Sequence, residues 1–244
     1  MKIFYLIPVY NETANLELLA NNLKNSLPGE EKFYLFVDDA SSDGTVKMLQ
    51  WLFNGTSFHI ITKTENMGPG DSFNRGFEWI LQNADNDKDL IITLEADNTS
   101  DIELVPVLVS ISSLNYNLVL ASVYAQGGGF QKSSFLRMLI SFVANMFLRL
   151  VFSIKVQTLS SFFRLYHVGL LRQIKDSYPA IISEKGFVCM FEILLKAVKV
   201  QARIIEVPTI LKSQNRKDRS KMKIIRTTGN YLRYTLKLLF KGLK

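Results

Sequence analysis

The chain has 244 residues, 48% of them hydrophobic and 21% charged. That is enough for one substantial domain or two small ones, and too apolar for a disordered segment. A single cysteine, Cys189, excludes an internal disulfide and fits a reducing compartment. The net charge of +7 is uneven: from residue 212 to 244 eleven Lys/Arg meet one acidic residue, Asp218, giving +10 there and −3 over the rest.

In chain order, Met1 to Pro8 resembles a signal peptide only superficially, because its apolar run is short and ends in Pro8-Val9-Tyr10-Asn11-Glu12 rather than a small-residue cleavage site. It reads as a first strand over 3–7. Further strands are expected over 33–37, 58–61, 90–94 and 118–121, with helices over 14–26, 45–53, 72–83 and 102–112. Asp43 and Asp101 are placed to cap the second and fourth helices. Strands separated by helix-length segments mean βαβ units and a mostly parallel sheet covered on both faces, a three-layer αβα domain. Gly127-Gly128-Gly129 separates this regular half, about 1–125, from a second half, about 126–222.

After that break, 134–152 is an almost wholly apolar helix. From Arg137 on, its polar residues Ser141, Asn145 and Arg149 step by four into one narrow stripe. Two arginines make insertion across a bilayer costly, so an interfacial helix, or a buried one whose stripe faces a site, is expected. The segment 223–244 forms a basic amphipathic helix, with Arg226, Asn230, Arg233, Lys237, Lys241 and Lys244 on one face and Ile225, Leu232, Leu236, Leu239 and Leu243 on another. That pattern suits a helix lying in an anionic membrane surface, and equally one packed on its own domain. Nucleic-acid motifs are absent and the rest of the chain is acidic, which argues against a nucleic-acid binder.

The chemistry gathers at the strand ends. Asp38-Asp39 and Asp43-Gly44-Thr45 follow the second strand, and Glu95-Ala96-Asp97 follows the fourth. Carboxylates at the carboxyl ends of neighbouring parallel strands share one crevice. Two acidic clusters there repel unless a cation or hydrogen-bond donor comes between them, and a divalent metal carrying a nucleotide diphosphate meets that need. Lys63-Thr64-Glu65-Asn66-Met67-Gly68-Pro69-Gly70 is a glycine-containing loop at a helix start, which lets backbone approach a phosphate or sugar. His59 and His167 read as core or surface residues, and Cys189 as a small core residue.

In order and spacing these motifs resemble glycosyltransferase family 2, in its polyprenyl-phosphate (dolichol-phosphate mannose synthase-like) branch. The match continues through Gly76, Ala121-Ser122-Val123-Tyr124, Arg137 with Ser141 and Asn145, Ser161-Phe162-Phe163-Arg164, Gly186-Phe187 with Glu192, Glu206-Val207-Pro208 and Ser220-Lys221. The resemblance implies a GT-A type nucleotide-diphospho-sugar transferase fold and an inverting, metal-dependent hexosyltransferase. Its donor would be a GDP- or UDP-sugar, its acceptor a polyprenyl phosphate, and its place the cytoplasmic face of a membrane, held peripherally by C-terminal interfacial helices. Pro8, Tyr10, Glu12, Val37 and Asp39 would hold the donor nucleotide, with Asn66 and Gly68 beside them. Asp97, helped by Glu95, would bind Mg²⁺ or Mn²⁺ on the diphosphate. Arg137 and Ser141 would meet the acceptor phosphate, and Lys221, or nearby Arg216 or Arg219, would close over the donor phosphates.

Several positions depart from the family's pattern. Glu95 stands for the first aspartate of the metal motif, Val123 for an arginine, Phe162 for a glycine and Thr158 for an aspartate, while the segment 216–221 lacks its glycine. A transferase with a hydroxyl acceptor, using Glu184 or Glu192 as base, and a catalytically weakened nucleotide-sugar or membrane-binding module are the alternative functions.

Overall fold

The computed structural model describes residues 1–131, 135–217 and 224–243. Seven strands form the main sheet: β1 (Ile3–Val9), β2 (Lys32–Asp38), β3 (Phe58–Thr62), β4 (Leu90–Thr93), β5 (Leu118–Ser122), β7 (Arg164–His167) and β8 (Ile204–Pro208). Their order is β3-β2-β1-β4-β7-β5-β8. All pairs are parallel except those of β7, which lies antiparallel between β4 and β5. β6 (Gly129–Gln131) and β9 (Ile210–Lys212) form a separate parallel pair. Both halves of the chain therefore build one sheet.

The central strand β1 shows why the layers form. Its side chains alternate between two cores, as a period of two requires. Ile3, Tyr5 and Ile7 enter a core with Leu16, Leu19 and Leu23 of α1 (Leu16–Asn25), Leu49 of α2 (Thr45–Leu52) and Val105 and Leu108 of α4 (Val105–Ser112). Phe4 and Leu6 enter the other, with Phe73, Phe77 and Ile80 of α3 (Pro69–Asn83) and residues of α6 (Val168–Ser177) and α7 (Cys189–Lys199). A Cβ on Gly76 of α3 would lie 2.1 Å from Leu6 Cδ1, so this glycine sets how closely helix and sheet approach.

Pro8 does not stop β1; the strand runs on to Val9. Asp39 N donates to Val9 O at 2.9 Å, so Val9 faces β2 and Pro8 faces the β4 side. Pairing on that side ends at Leu6 opposite Thr93, so the missing N–H of Pro8 leaves no gap in the ladder. Of the two expected caps, Asp43 accepts from Thr45 N at 3.0 Å at the start of α2, whereas Asp101 makes no cap bond and instead accepts from Lys212 Nζ at 2.9 Å.

Two helices present apolar surface outward. In α5 (Phe135–Phe152) the polar stripe turns inward, with Asn145 buried and Ser141 and Arg149 half-buried, while Phe142, Val143, Met146, Phe147 and Leu150 are exposed. In α8 (Ile224–Lys241) the helix packs on the domain through Tyr231, Tyr234 and Leu238, which join the core around Phe191. Its leucine stripe, Leu232, Leu236 and Leu239, stays exposed, and Phe240 beside it is 84% accessible. No helix among the described residues is long and apolar enough to cross a membrane.

Candidate active site

β1, β2 and β4 are neighbours and parallel, so their carboxyl ends open on one edge. Residues 8–12, 38–45 and 95–99 meet there. Hydrogen bonds join the first two segments: Asn11 N to Ser41 Oγ at 2.8 Å, Ser42 N to Asn11 Oδ1 at 2.8 Å and Glu12 N to Thr45 Oγ1 at 2.9 Å. Glu12 is buried and accepts from Asn15 Nδ2 at 2.7 Å. Tyr10 and Pro8 are half-buried at the same edge, and Asn66 is exposed.

Each acidic cluster meets a cation of the chain itself, Lys63 at Asp39 and Arg216 at Asp97. Asp39 accepts from the backbone N–H groups of Met67 and Gly68, both at 2.8 Å, and pairs with buried Lys63 at 2.6 Å. Lys63 also pairs with Asp71 at 2.9 Å. Asp39 thus pins the glycine loop against β3, a role that sequence reading did not assign to Lys63. Val37, which the resemblance places at the donor nucleotide, ends the run of core residues on β2. Its side chain is fully buried in the core beneath α3, so it offers a ligand no side-chain contact.

Asp97 is held on both sides. Its Oδ1 accepts from Thr99 N at 3.1 Å and Thr99 Oγ1 at 2.7 Å, and its Oδ2 accepts from Arg216 Nε at 2.6 Å, with Arg216 NH2 completing the pair. Lys217 N to Asn15 Oδ1 at 3.1 Å and Lys212 N to Thr99 O at 2.9 Å lay this basic segment over the end of β4. Glu95 accepts from Ser100 Oγ at 2.8 Å. Burial, and then the Asp97 carboxylate beside it, push Glu95 up to about 7. The adjacent Asn98 keeps a buried amide oxygen with no hydrogen-bond partner. Among the described residues no group of three or more His, Cys, Asp or Glu forms a metal cage. Glu95 and Asp97 instead offer the carboxylate pair that a hard cation takes when phosphates complete its shell.

The glycine loop approaches its own chain. Gly70 N donates to Lys185 O at 2.7 Å, and a Cβ on Gly70 would lie 1.9 Å from Glu184 O. Gly68, with φ of +90°, would bring a Cβ 2.7 Å from Lys185 O. These glycines are needed for contact with residues 184–186. Gly70→Ala is therefore expected to destabilise the protein by at least about 2 kcal/mol in urea titration, since backbone cannot yield as a side chain does. An unchanged midpoint and slope would contradict this packing.

On the acceptor side, Tyr124 OH donates to Ser141 Oγ at 2.7 Å. Arg137 lies in α5, but its side chain, like Arg219 and Lys221 altogether, falls outside the described residues. Phe162 fills an aromatic cluster with Phe73 and Phe187. Thr158 shares a 2.6 Å hydrogen bond with Ser122, and Glu206 accepts from the backbone of Gln157 and Thr158 at 2.7 and 2.8 Å. Arg164 is wholly buried and donates to the carbonyls of Leu159, Ser161 and Met190, which makes it a clamp on this loop.

Of the two candidate bases, Glu192 is held in a buried network and Glu184 in an exposed pair. Glu192 is buried, accepts from the N–H groups of Ser183 and Glu184, and pairs with buried Lys196 at 2.7 Å. Glu184 pairs with Lys237 of α8 at 3.1 Å. His59 stacks on Trp79 at the surface, and burial pushes the His167 imidazole down and the Cys189 thiol up.

The model of glycosyl transferase family 2 matches residues 5–175. An undecaprenyl-phosphate mannosyltransferase of Micrococcus luteus is 27% identical over 209 residues, covering 85% of this chain and 82% of that protein. A dolichol-phosphate mannosyltransferase of Pyrococcus furiosus is 28% identical over 243 residues, covering 98% of this chain and 64% of the relative. In fold, the chain is similar to the glucosyl-3-phosphoglycerate synthase of Mycobacterium tuberculosis, solved with Mn²⁺, uridine diphosphate and glucosyl-3-phosphoglycerate. The TM-score is 0.67 at 16% identity, over 99% of this chain and 80% of that one.

Proposed function

Because this chain belongs to glycosyl transferase family 2, in its dolichol-phosphate mannose synthase-like branch, we propose that it moves a hexosyl group, with inversion, from a GDP- or UDP-sugar to a polyprenyl phosphate. The observation that carries this function is Asp97. Its carboxylate already holds a cation, Arg216, at the edge where β1, β2 and β4 end. The polyprenyl-phosphate names of the two mannosyltransferase relatives support the acceptor.

An acceptor phosphate oxygen forms the new bond to the anomeric carbon. The bond from that carbon to the diphosphate breaks, and its electron pair leaves with the nucleoside diphosphate. The attacking oxygen is already ionised near neutral pH, so no proton need be removed. That agrees with the buried pairing of Glu192 with Lys196, whereas a hydroxyl acceptor needs a free base. Residues 8–12 and 66–68 flank the donor side, and Arg137 and Ser141 serve the acceptor phosphate. Incubation with a labelled nucleotide sugar and polyprenyl phosphate tests the function. Label is expected in the organic phase, and label confined to water would refute transfer to lipid.

Mg²⁺ or Mn²⁺ fits the residues present, since Glu95 and Asp97 are hard oxygen donors and Asp97 already carries a positive group. When bound there, the cation neutralises charge on the departing diphosphate. Arg216 pairs with Asp97, so it would compete with a bound cation for that carboxylate. Arg216→Gln is therefore expected to bind Mn²⁺ more tightly without donor, read by paramagnetic resonance titration, while losing transfer activity. Unchanged Mn²⁺ affinity would remove Arg216 from this competition.

The protein lies peripherally on the cytoplasmic face of a membrane, with the outward apolar faces of α5 and α8 against the bilayer and Arg233 toward its anionic headgroups. Large exposed apolar patches of this kind mark interaction surfaces. Replacing Leu236, Leu239 and Phe240 together by serine is expected to lower vesicle partitioning at least about tenfold. These side chains are exposed, so the fold stays intact, and unchanged flotation would count against docking by α8. Deleting α8 outright is a poorer test, because Tyr234 and Leu238 help close the core.

A further inference from the structure

Arg149 has a role that sugar transfer does not explain. It lies in the last turn of α5, and its Nε is enclosed without a hydrogen-bond partner. An enclosed, unpaired donor of this kind carries a desolvation cost that no hydrogen bond offsets. Carbonyls at a helix C-terminus are the usual partners of such an arginine. Here Arg149 O is itself capped by Ile154 N at 3.0 Å, and Nε reaches no carbonyl. No carboxylate among the described residues pairs with the guanidinium.

The side chain lines a hollow of about 300 Å³ with Met146, Leu150, Ser153 and Ile154. Its apolar walls face outward: Met146 and Leu150 are exposed, Leu150 at 74%, as are Phe142 and Phe147 on the same helix, and Lys155 is exposed just beyond it. A guanidinium with unspent donors beside exposed hydrocarbon matches a phosphodiester that carries acyl chains. The planar fork takes the phosphate oxygens, and the rim takes the glycerol and chain ends. Ser141 is eight residues earlier on α5, about 12 Å along the axis, too far for one phosphate to meet both.

We propose that this hollow binds the phosphate headgroup of an anionic membrane phospholipid, as a site separate from that of the acceptor phosphate. It rests on the membrane-facing placement of α5 given above.

The experiment is vesicle flotation of the full chain with phosphatidylcholine alone and with added phosphatidylglycerol, for the wild type, Arg149→Gln and Arg149→Lys. Phosphatidylglycerol is expected to strengthen wild-type binding, and Arg149→Gln to lose about fivefold of that gain. Arg149→Lys is expected to lose most of it as well, since lysine keeps the charge but not the enclosed Nε–H or the fork. Arg149→Lys floating like the wild type would reduce the effect to diffuse charge and overturn the site. Thermal melting of each variant checks the fold, and Arg149→Lys decides if the glutamine variant melts early. Inorganic phosphate added to the same assay separates the sources. A headgroup site keeps its phosphatidylglycerol dependence, and loss of that dependence would assign a free-phosphate site and overturn the proposal. A wild type that floats with neither vesicle would refute the membrane placement itself. A wild type and Arg149→Gln that float equally would refute the Arg149 site alone.

Discussion

Asp97→Asn is expected to lower turnover by about 10²–10³-fold, the usual loss when a group that stabilises developing charge is removed. The substitution is conservative for the fold. An asparagine Oδ1 still accepts from Thr99 N and Oγ1, so the turn after β4 is kept. The pair with Arg216 is lost, but both partners are partly accessible, at 13% and 21%, so the stability cost stays below about 1 kcal/mol. Mn²⁺ titration separates the two effects: the variant should melt like the wild type and bind the ion far more weakly. Full turnover with normal Mn²⁺ binding would remove Asp97 from the site.

Glu192→Ala is expected to act on stability, by about 3–5 kcal/mol, because it strands the buried Lys196 ammonium and the N–H groups of Ser183 and Glu184. In a chain of this size that lowers the melting temperature by roughly 6–20 °C. Lys196 keeps the carbonyls of Ala180 and Ile181 as partners, which softens the loss. Glu192→Gln keeps an acceptor for the two N–H groups and should fall between the alanine variant and the wild type. If Glu192 were a general base, Glu192→Gln would instead melt normally and lose turnover together with one limb of the pH profile. With a structural Glu192, turnover per folded molecule keeps its pH profile.

The first five strands were legible because each is a mostly apolar run bounded by turn residues and separated by helix-length segments. β1 makes the point: its uniform apolar character follows from cores on both faces. β7 and β8 were not legible. β7 opens on the wholly buried Arg164, and β8 carries Glu206 and Pro208, so neither reads as an apolar run. The site was half legible. Residue types at strand ends located the edge, because topology alone brings β1, β2 and β4 together. Their partners were hidden. Nothing in Asp39 marks Lys63, 24 positions later, as its cation, and nothing in the glycine loop reveals that Glu184 and Lys185 fill the space its glycines leave. Long-range pairings of this kind are set by packing and are not written into local pattern.

The most direct measurement compares two lipid acceptors, polyprenyl phosphate and the matching free polyprenol, with one nucleotide sugar and Mn²⁺, reading the product by mass. A hexosyl adduct is expected on the phosphate and none on the alcohol. Glycosylation of the polyprenol, or of a water-soluble saccharide in preference to either lipid, would contradict a phosphate nucleophile and with it the function assigned to this site.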